Sequence, residues 1–391
     1  LGNRKNGKKT MSLNFLKELK NFEKQRNHNI FQGYSLQEFT DILQFFDLKE
    51  KKTNCLRISI VGTNGKGSLA HYLSELAQKN LQLKVGLYTS PHLLQETERI
   101  QVNGKKISYS EIQNFLDLQT QEKISQLKKL SYFEFFTFLA IYYFQTQNCN
   151  LEIYEAGLGG RLDATKLAQA DYVIVTKIGL DHTAILGDTK EKILNEKLEI
   201  TTPNTKAIFY FPQDETHLNQ QILEYGRRKN ILTICFDEKF KFKEYLLFNL
   251  YYAKFILEQI YQKKIIDLEV SNPKGRMEVL KKEPLVIFDV AHNPDAILHL
   301  LTSLEFRYPN TYWDILLGCL ADKDILEIYN ILDNWKYKKE IFFVVNPNFI
   351  IPNIINIKTQ QNWSKKNPTL VTGSFRLYEL FWNLESKEYE T

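Results

Sequence analysis

Lys66 and Ser68 belong to a seven-residue run, Gly62-Thr63-Asn64-Gly65-Lys66-Gly67-Ser68, that holds three glycines. Glycines let backbone N–H groups approach phosphate oxygens, a lysine ammonium can reach the β- and γ-phosphates, and a serine hydroxyl can ligate magnesium. The usual form of such a loop places Ser or Thr directly after the Lys, whereas here Gly67 intervenes. Read without its flanks, the run could equally be a glycine turn with a solvated lysine. Further groups capable of chemistry are Ser90 in Ser90-Pro91-His92, His182 in Leu180-Asp181-His182, and Glu155 just before the glycine-rich Gly157–Asp163. Hydroxyl, carboxylate and imidazole together make a plausible magnesium pocket, although imidazole is an unusual ligand for that ion. Taken singly, Ser90 reads as a turn serine, the glycine loop as a flexible connection and His182 as a capping or core histidine. Lys197, after Glu196 on a helical stretch, reads on its own as solvated.

The flanking elements favour the phosphate reading. Ile58 to Val61 is a β-branched run expected of a buried parallel strand, and Leu69, Leu73, Leu76 and Ala77 recur afterwards at helical spacing. A helix N-terminus placed there presents unpaired donors to an anion. Strands are expected over 84–89, 151–155 and 172–178, with two more near 207–211 and 231–236, giving about six. Residues 12–54 and 108–149 read as helices, as do 190–200 and 244–264. In a parallel sheet, Ser68, Ser90, Glu155 and His182 then share the carboxyl edge where open α/β sheets bind ligands. A linker is expected at 271–275, after which βα alternation restarts with strands at 285–289, 315–319, 341–345 and 370–372.

Composition narrows the class. A chain of 391 residues suggests two unequal domains, and 43% apolar with 25% charged residues is ordinary for a globular protein in water. The net charge of +5 is spread along the chain, so nucleic-acid binding is not indicated. Four scattered cysteines without a C-x-x-C pair fit a reducing cytoplasm. The most apolar window, Tyr132 to Phe144, carries Glu134 and Thr137 and is too short and polar for a membrane span. No signal peptide is visible, and Met11 is a candidate start.

With these segments in order, the chain resembles the folylpolyglutamate synthase/dihydrofolate synthase family of the Mur ligase superfamily. The likeness rests on GTNGKGS (62–68), TSPHL (89–93), ERI (98–100), YFEF (132–135), EAGLGGRLDAT (155–165) and LDHT (180–183). EK at 196–197, GR at 275–276, FDVAHNP (288–294), ADKD (321–324) and GSF (373–375) continue it. The resemblance implies an α/β fold: an ATP-binding, phosphate-loop domain with a mostly parallel sheet over 12–270, and a smaller Rossmann-like glutamate ligase domain over 276–391. It also explains Gly67, since this is that family's form of the loop.

The implied activity is ATP-dependent ligation of L-glutamate to dihydropteroate or a reduced folate through an acyl phosphate, chemistry that is mostly positioning and charge neutralisation. By similarity, residues 62–68 hold ATP, with Lys66 and Ser68 on its phosphates. Ser68, Ser90, Glu155 and His182 hold Mg²⁺, and Lys66, His182 and Lys197 serve the reaction. The family carries a carbamylated lysine at the position resembling Lys197, but follows it with Ala-Gly-Ile rather than Leu198-Glu199-Ile200. Arg276 is expected on phosphates, Asp289 on the ribose, and His292 and Ser374 on nucleotide or glutamate. Ser131, Phe133, Arg161 and Asp163 lie in stretches resembling the dihydropteroate pocket, though Phe133 could as well be core. Gly33-Tyr34-Ser35-Leu36 is only loosely similar to the family's opening. A monomer is implied. A muramyl-peptide ligase would need a further N-terminal domain, and only about 55 residues precede the loop. A non-catalytic nucleotide switch would not need Glu155, His182 and Lys197 beside Lys66.

Overall fold

The computed structural model describes residues 14–24, 33–48, 54–237, 242–321, 323–347, 349–352 and 358–382. The basic stretch 4–9, Met11 and Asp322 of the ADKD motif lie outside them. The chain divides into two compact units. One comprises the residues up to 237 together with 252–270, and the other takes 271 onward together with 238–251. The expected first domain, 12–270, includes the segment 238–251 that groups here with the second unit.

In the first unit, helical residues 14–18 (α1) and α2 (Gln37–Phe45) precede β1 (Leu56–Val61) and α3 (Lys66–Leu81). Next come β2 (Val85–Tyr88), β3 (Ile100–Val102) and β4 (Lys105–Lys106), then α4 (Tyr109–Asp117), α5 (Gln121–Leu127) and α6 (Tyr132–Thr146). β5 (Leu151–Glu155) and β6 (Tyr172–Val175) lead to α7 (Thr183–Leu186) and α8 (Lys190–Leu198). β7 (Ala207–Tyr210), α9 (Thr216–Lys229) and β8 (Leu232–Cys235) follow, and of α10 (Tyr245–Tyr261) the residues from Tyr252 belong to this unit.

The sheet has the order β4-β3-β2-β5-β1-β6-β7-β8, eight strands rather than the six expected. The two missed are the antiparallel edge pair β3 and β4, too short and too polar at Lys105-Lys106 to show a strand period. β6 also ends three residues sooner than expected, and Lys177 beyond it makes only an isolated bridge to Asn64. From β2 to β8 every pairing is parallel. β1 feeds β2 on one side, while β5 crosses over it to β6. The carboxyl ends of β1 and β5 therefore form the switch point where such sheets bind ligands.

Parallel strands covered on both faces must be apolar throughout, and Ile58, Ile60, Val61, Leu151 and Ile153 are all fully buried. α6 is apolar on nearly every side, which requires burial all round. Its Phe135, Phe136, Phe138 and Ile141 are inaccessible, and its Phe144 packs on Tyr154 of β5. Among the described residues no helix is long and apolar enough to cross a membrane.

The second unit holds β9 (Glu278–Lys282), β10 (Leu285–Asp289), α11 (Pro294–Arg307), β11 (Trp313–Leu317) and α12 (Ile325–Asp333). β12 (Lys338–Phe343), β13 (Lys358–Thr359), β14 (Thr369–Thr372) and α13 (Tyr378–Phe381) complete it. Its order β13-β12-β11-β14-β10-β9 has six strands rather than four. The additions are the two-residue β13 and the antiparallel edge strand β9, whose Lys281 and Lys282 hid it from a period-two reading.

Candidate active site

The loop after β1 turns sharply because Gly65 adopts φ +88°, a left-handed conformation open to glycine at little cost. α3 begins at Lys66, so its first amides have no intrahelical partner and point out of the loop. The loop is pinned from the β6 side. Thr63 N–H donates to the Lys177 carbonyl at 2.7 Å, and Gly179 N–H donates to Thr63 Oγ1 at 3.0 Å. The same connection runs on to His182, in the left-handed region at the start of α7, with its imidazole 3.9 Å from the Asp181 carboxylate.

Two lysines converge on one acceptor. Lys66 Nζ donates to the Gly62 carbonyl at 3.1 Å, and Lys197 Nζ reaches the same oxygen at 2.8 Å. Lys197 is 5% exposed, so its reading as a solvated helix lysine is corrected. The cause is tertiary: α8 buries Ile193, Leu194 and Leu198 on the face that also carries Lys197. Burial lowers its ammonium to about 7, and the nearby Lys66 cation pushes the same way. At neutral pH Lys197 is thus partly a free amine, the form that reacts with CO₂.

A second cluster sits against the same loop. The Glu155 carboxylate, at the end of β5, accepts the Ser90 N–H at 3.0 Å. A Cβ on Gly67 would lie 3.4 Å from both Glu155 oxygens, so Gly67 leaves the carboxylate room beside the helix start. Ser68 is 1% exposed, and its Oγ has no hydrogen-bond partner among the described residues. An orphaned hydroxyl next to a buried carboxylate is costly in an empty fold and fits a site built for a cation.

The glycine-rich loop after β5 is fastened to α8. A Cβ on Gly160 would fall 2.4 Å from the Lys197 carbonyl oxygen, so only hydrogen fits there. Arg161 donates its backbone N–H to the Glu196 carbonyl and its Nε to the Glu196 carboxylate, each at 3.0 Å. Asp163 is fully engaged within its own loop. It accepts N–H groups of Gly157 (2.8 Å), Leu158 (2.9 Å) and Thr165 (2.9 Å), and the Thr165 hydroxyl (2.5 Å).

Ser131 is likewise committed, as the N-cap of α6: its Oγ accepts the Glu134 N–H, while Glu134 Oε2 accepts the Ser131 N–H at 2.8 Å. That reciprocal pair is a capping box, legible in the sequence as Ser131-x-x-Glu134 but not read there. Phe133 presses its ring on Gly157 and lies 6.0 Å from Tyr88. Glu134 Oε1 also accepts the hydroxyl of Tyr34, 100 residues away, at 2.6 Å. No local pattern signals that contact.

In the second unit the predicted residues gather at the ends of β10 and β14. Asp289 is 2% exposed; its Oδ1 accepts Ala291 N–H, and its Oδ2 accepts Met277 N–H and the Tyr245 hydroxyl. Its carboxylate thus orders the turn that carries Arg276. Arg276 lies over the Phe375 ring at 5.3 Å, and His292 is 5.7 Å from the same ring. His292 Nδ1 is 2.8 Å from the Val290 carbonyl and must therefore carry the proton. Ser374 Oγ caps the following turn at Arg376 N–H.

Similarity to known proteins agrees with this architecture. Residues 275–348 match the Mur ligase glutamate ligase domain family. A dihydrofolate synthase/folylpolyglutamate synthase of Buchnera aphidicola subsp. Acyrthosiphon pisum is 30% identical over 350 residues, covering 82% of this chain and 80% of that one. Escherichia coli FolC in complex with ADP superposes with a TM-score of 0.75 at 23% identity, over 91% of this chain and 95% of the other. The bifunctional folylpolyglutamate synthase/dihydrofolate synthase of Yersinia pestis, complexed with AMPPNP and a Mn ion, gives 0.74 at 23% identity over 94% and 96%. With sequence identity sustained across four-fifths of a curated relative and the two-unit fold shared throughout, the chain belongs to the dihydrofolate synthase/folylpolyglutamate synthase family.

Proposed function

We propose that this protein is an ATP-dependent ligase that joins L-glutamate to the carboxylate of dihydropteroate, a reduced folate, or both. Family membership supports the reaction. The observation that carries it to these residues is the convergence of Lys66 and Lys197 on the Gly62 carbonyl, beside the orphaned Ser68 hydroxyl and the Glu155 carboxylate.

Two lysine nitrogens aimed at one carbonyl put donors where the phosphates of ATP would lie. The residues 62–68 cradle those phosphates, the α3 amides orient them, and Lys66 follows the charge that develops on the transferred phosphoryl group. Ser68, Ser90, Glu155 and His182 are the residues that would hold magnesium. A divalent ion held by them would supply charge neutralisation to the transferring phosphoryl group. The acceptor carboxylate takes the γ-phosphoryl group, and the glutamate amino group then displaces phosphate from the acyl carbon. Lys197, as a partly neutral buried amine, is suited to carbamylation, which would turn it into an anion beside the metal. Ser131, Phe133, Arg161 and Asp163 shape the acceptor side. In the second unit Arg276, Asp289, His292 and Ser374 are assigned to nucleotide and glutamate. We place the enzyme in the cytoplasm, as a monomer.

The test is phosphate release with ATP, Mg²⁺ and L-glutamate, using dihydropteroate, tetrahydrofolate or a UDP-muramyl precursor as acceptor. Release with either pterin compound supports the reading and separates synthase from polyglutamylating activity. Release with the muramyl compound alone, or with none of the three, refutes it.

A further inference from the structure

The connection between β6 and α7 backs the phosphate loop, and one peptide group in it carries much of the contact. The Lys177 carbonyl accepts the Thr63 N–H at 2.7 Å and the Asn64 N–H at 3.3 Å. The N–H of that same peptide group belongs to Ile178, which is buried. It donates at 2.9 Å to Oε1 of Gln213, 35 residues further on, in the loop between β7 and α9. A trans peptide group is planar, with its N–H and C=O pointing opposite ways. Fixing the Ile178 N–H therefore aims the Lys177 carbonyl.

Gln213 is itself firmly held. It is 4% exposed, and its Nε2 donates to the Phe211 carbonyl at 3.0 Å and to the Thr176 carbonyl at 3.5 Å. The orientation of the side-chain amide follows, since only its oxygen can accept the Ile178 N–H. Asn219 of α9 grips the Gln213 backbone twice, its Oδ1 accepting the N–H at 2.8 Å and its Nδ2 donating to the carbonyl at 3.3 Å. The next residue, Asp214, pairs with the Lys177 ammonium. Residues 213 and 214 together thus fix both the peptide and the side chain of Lys177.

We propose that Gln213 is a positioning residue for the reaction: by holding the Ile178 N–H it turns the Lys177 carbonyl onto the phosphate loop and keeps Thr63 and Asn64 in place for the phosphates. This rests on the phosphate-loop part of the reading above. Gln213 acts only through Lys177. Leucine in its place strands the buried Ile178 N–H, and a peptide that turns to find another acceptor takes the Lys177 carbonyl off the loop. Glutamate in its place keeps an oxygen for that N–H.

The test is an equilibrium titration of wild type, Gln213→Leu, Gln213→Glu and Asn219→Ala with ADP in the presence of Mg²⁺. It is paired with KM values for ATP, glutamate and acceptor and with melting temperatures of the free proteins. Gln213→Leu is expected to weaken ADP and raise the KM for ATP about tenfold. Asn219→Ala, which loosens only the grip on Gln213, costs about threefold, and Gln213→Glu stays within about threefold of wild type. The KM values for glutamate and acceptor stay within about twofold, because their contacts do not pass through Lys177. Equal ADP affinity in wild type and Gln213→Leu overturns the proposal. So does an equal loss in the Leu and Glu variants that tracks a lowered melting temperature, the mark of a residue that only fills the fold. Should Gln213→Leu fail to fold, unchanged ADP affinity in Asn219→Ala overturns the proposal in its place. Wild type that binds ADP but ligates no acceptor refutes the ligase reading alone, and the titrations still decide this inference. Wild type that does not bind ADP overturns both.

Discussion

The strands β1 and β5 carry charge at both ends, and the two ends treat it in opposite ways. At the amino ends, Arg57 and Glu152 face each other in register, with Nε 2.6 Å from Oε2 and each side chain 1% exposed. Tyr154 donates to the same Glu152 oxygen at 2.8 Å, Arg57 Nη1 donates to the Ala168 carbonyl, and Asp171 accepts the Arg57 N–H. Here a cation meets an anion inside the fold. At the carboxyl ends, two lysine nitrogens meet one carbonyl, and the buried Ser68 hydroxyl has no partner among the described residues. The amino ends close a cation on an anion inside the sheet, whereas the carboxyl ends gather donors around one carbonyl oxygen.

Breaking each end should give opposite phenotypes. Lys66→Ala is expected to lower kcat by about a thousandfold or more while leaving the melting temperature nearly unchanged, because the residue's work is on a ligand. Steady-state phosphate release and calorimetry decide it, and surviving turnover would sink the phosphate-loop assignment. Glu152→Ala should do the reverse. Stranding Arg57 in the core costs about 3–5 kcal/mol in denaturant unfolding, with kcat per folded molecule retained.

The pH dependence of stability sharpens the contrast. Lys197, ordinarily near 10.5, is lowered to about 7 in the fold. Between those values the unfolded chain binds a proton that the folded chain does not, so stability rises with pH across that window. The slope is at most about 1.4 kcal/mol per pH unit. Lys197→Met should flatten it, and bicarbonate should weaken it in wild type while raising activity. Activity indifferent to bicarbonate would count against carbamylation. The smallest effect is expected from Ser68→Ala. Removing an unpartnered buried hydroxyl leaves stability unchanged or raised by about 1 kcal/mol, while the Mg²⁺ concentration needed for half-maximal rate rises about tenfold.

How much of this was legible beforehand follows the range of the interactions involved. The β1–loop–α3 unit could be read because strand, glycines and helix are contiguous and each obeys its own period. The edge strands β3, β4, β9 and β13 could not, being short or charged and defined only by their neighbours. Ser90 and Glu155 were placed together by the rule that parallel strands share a carboxyl edge, and the 3.0 Å bond between them agrees. The burial of Lys197 was invisible to composition, since it depends on a carbonyl 135 positions earlier in the chain. The internal commitments of Asp163 and Asp289 were equally hidden, because a carboxylate looks the same in sequence whether it awaits a ligand or ties a turn.

The shared Gly62 carbonyl has a practical side. A loop that aims two lysine nitrogens and a helix start at one place accepts an oxyanion without discriminating strongly by what the oxyanion is attached to. Phosphate or sulfate in a storage buffer would therefore act as an unnoticed competitor, protecting the protein against heat while raising the apparent KM for ATP. Orthophosphate made by the reaction is such an anion too, so progress curves should bend well before the substrates run out.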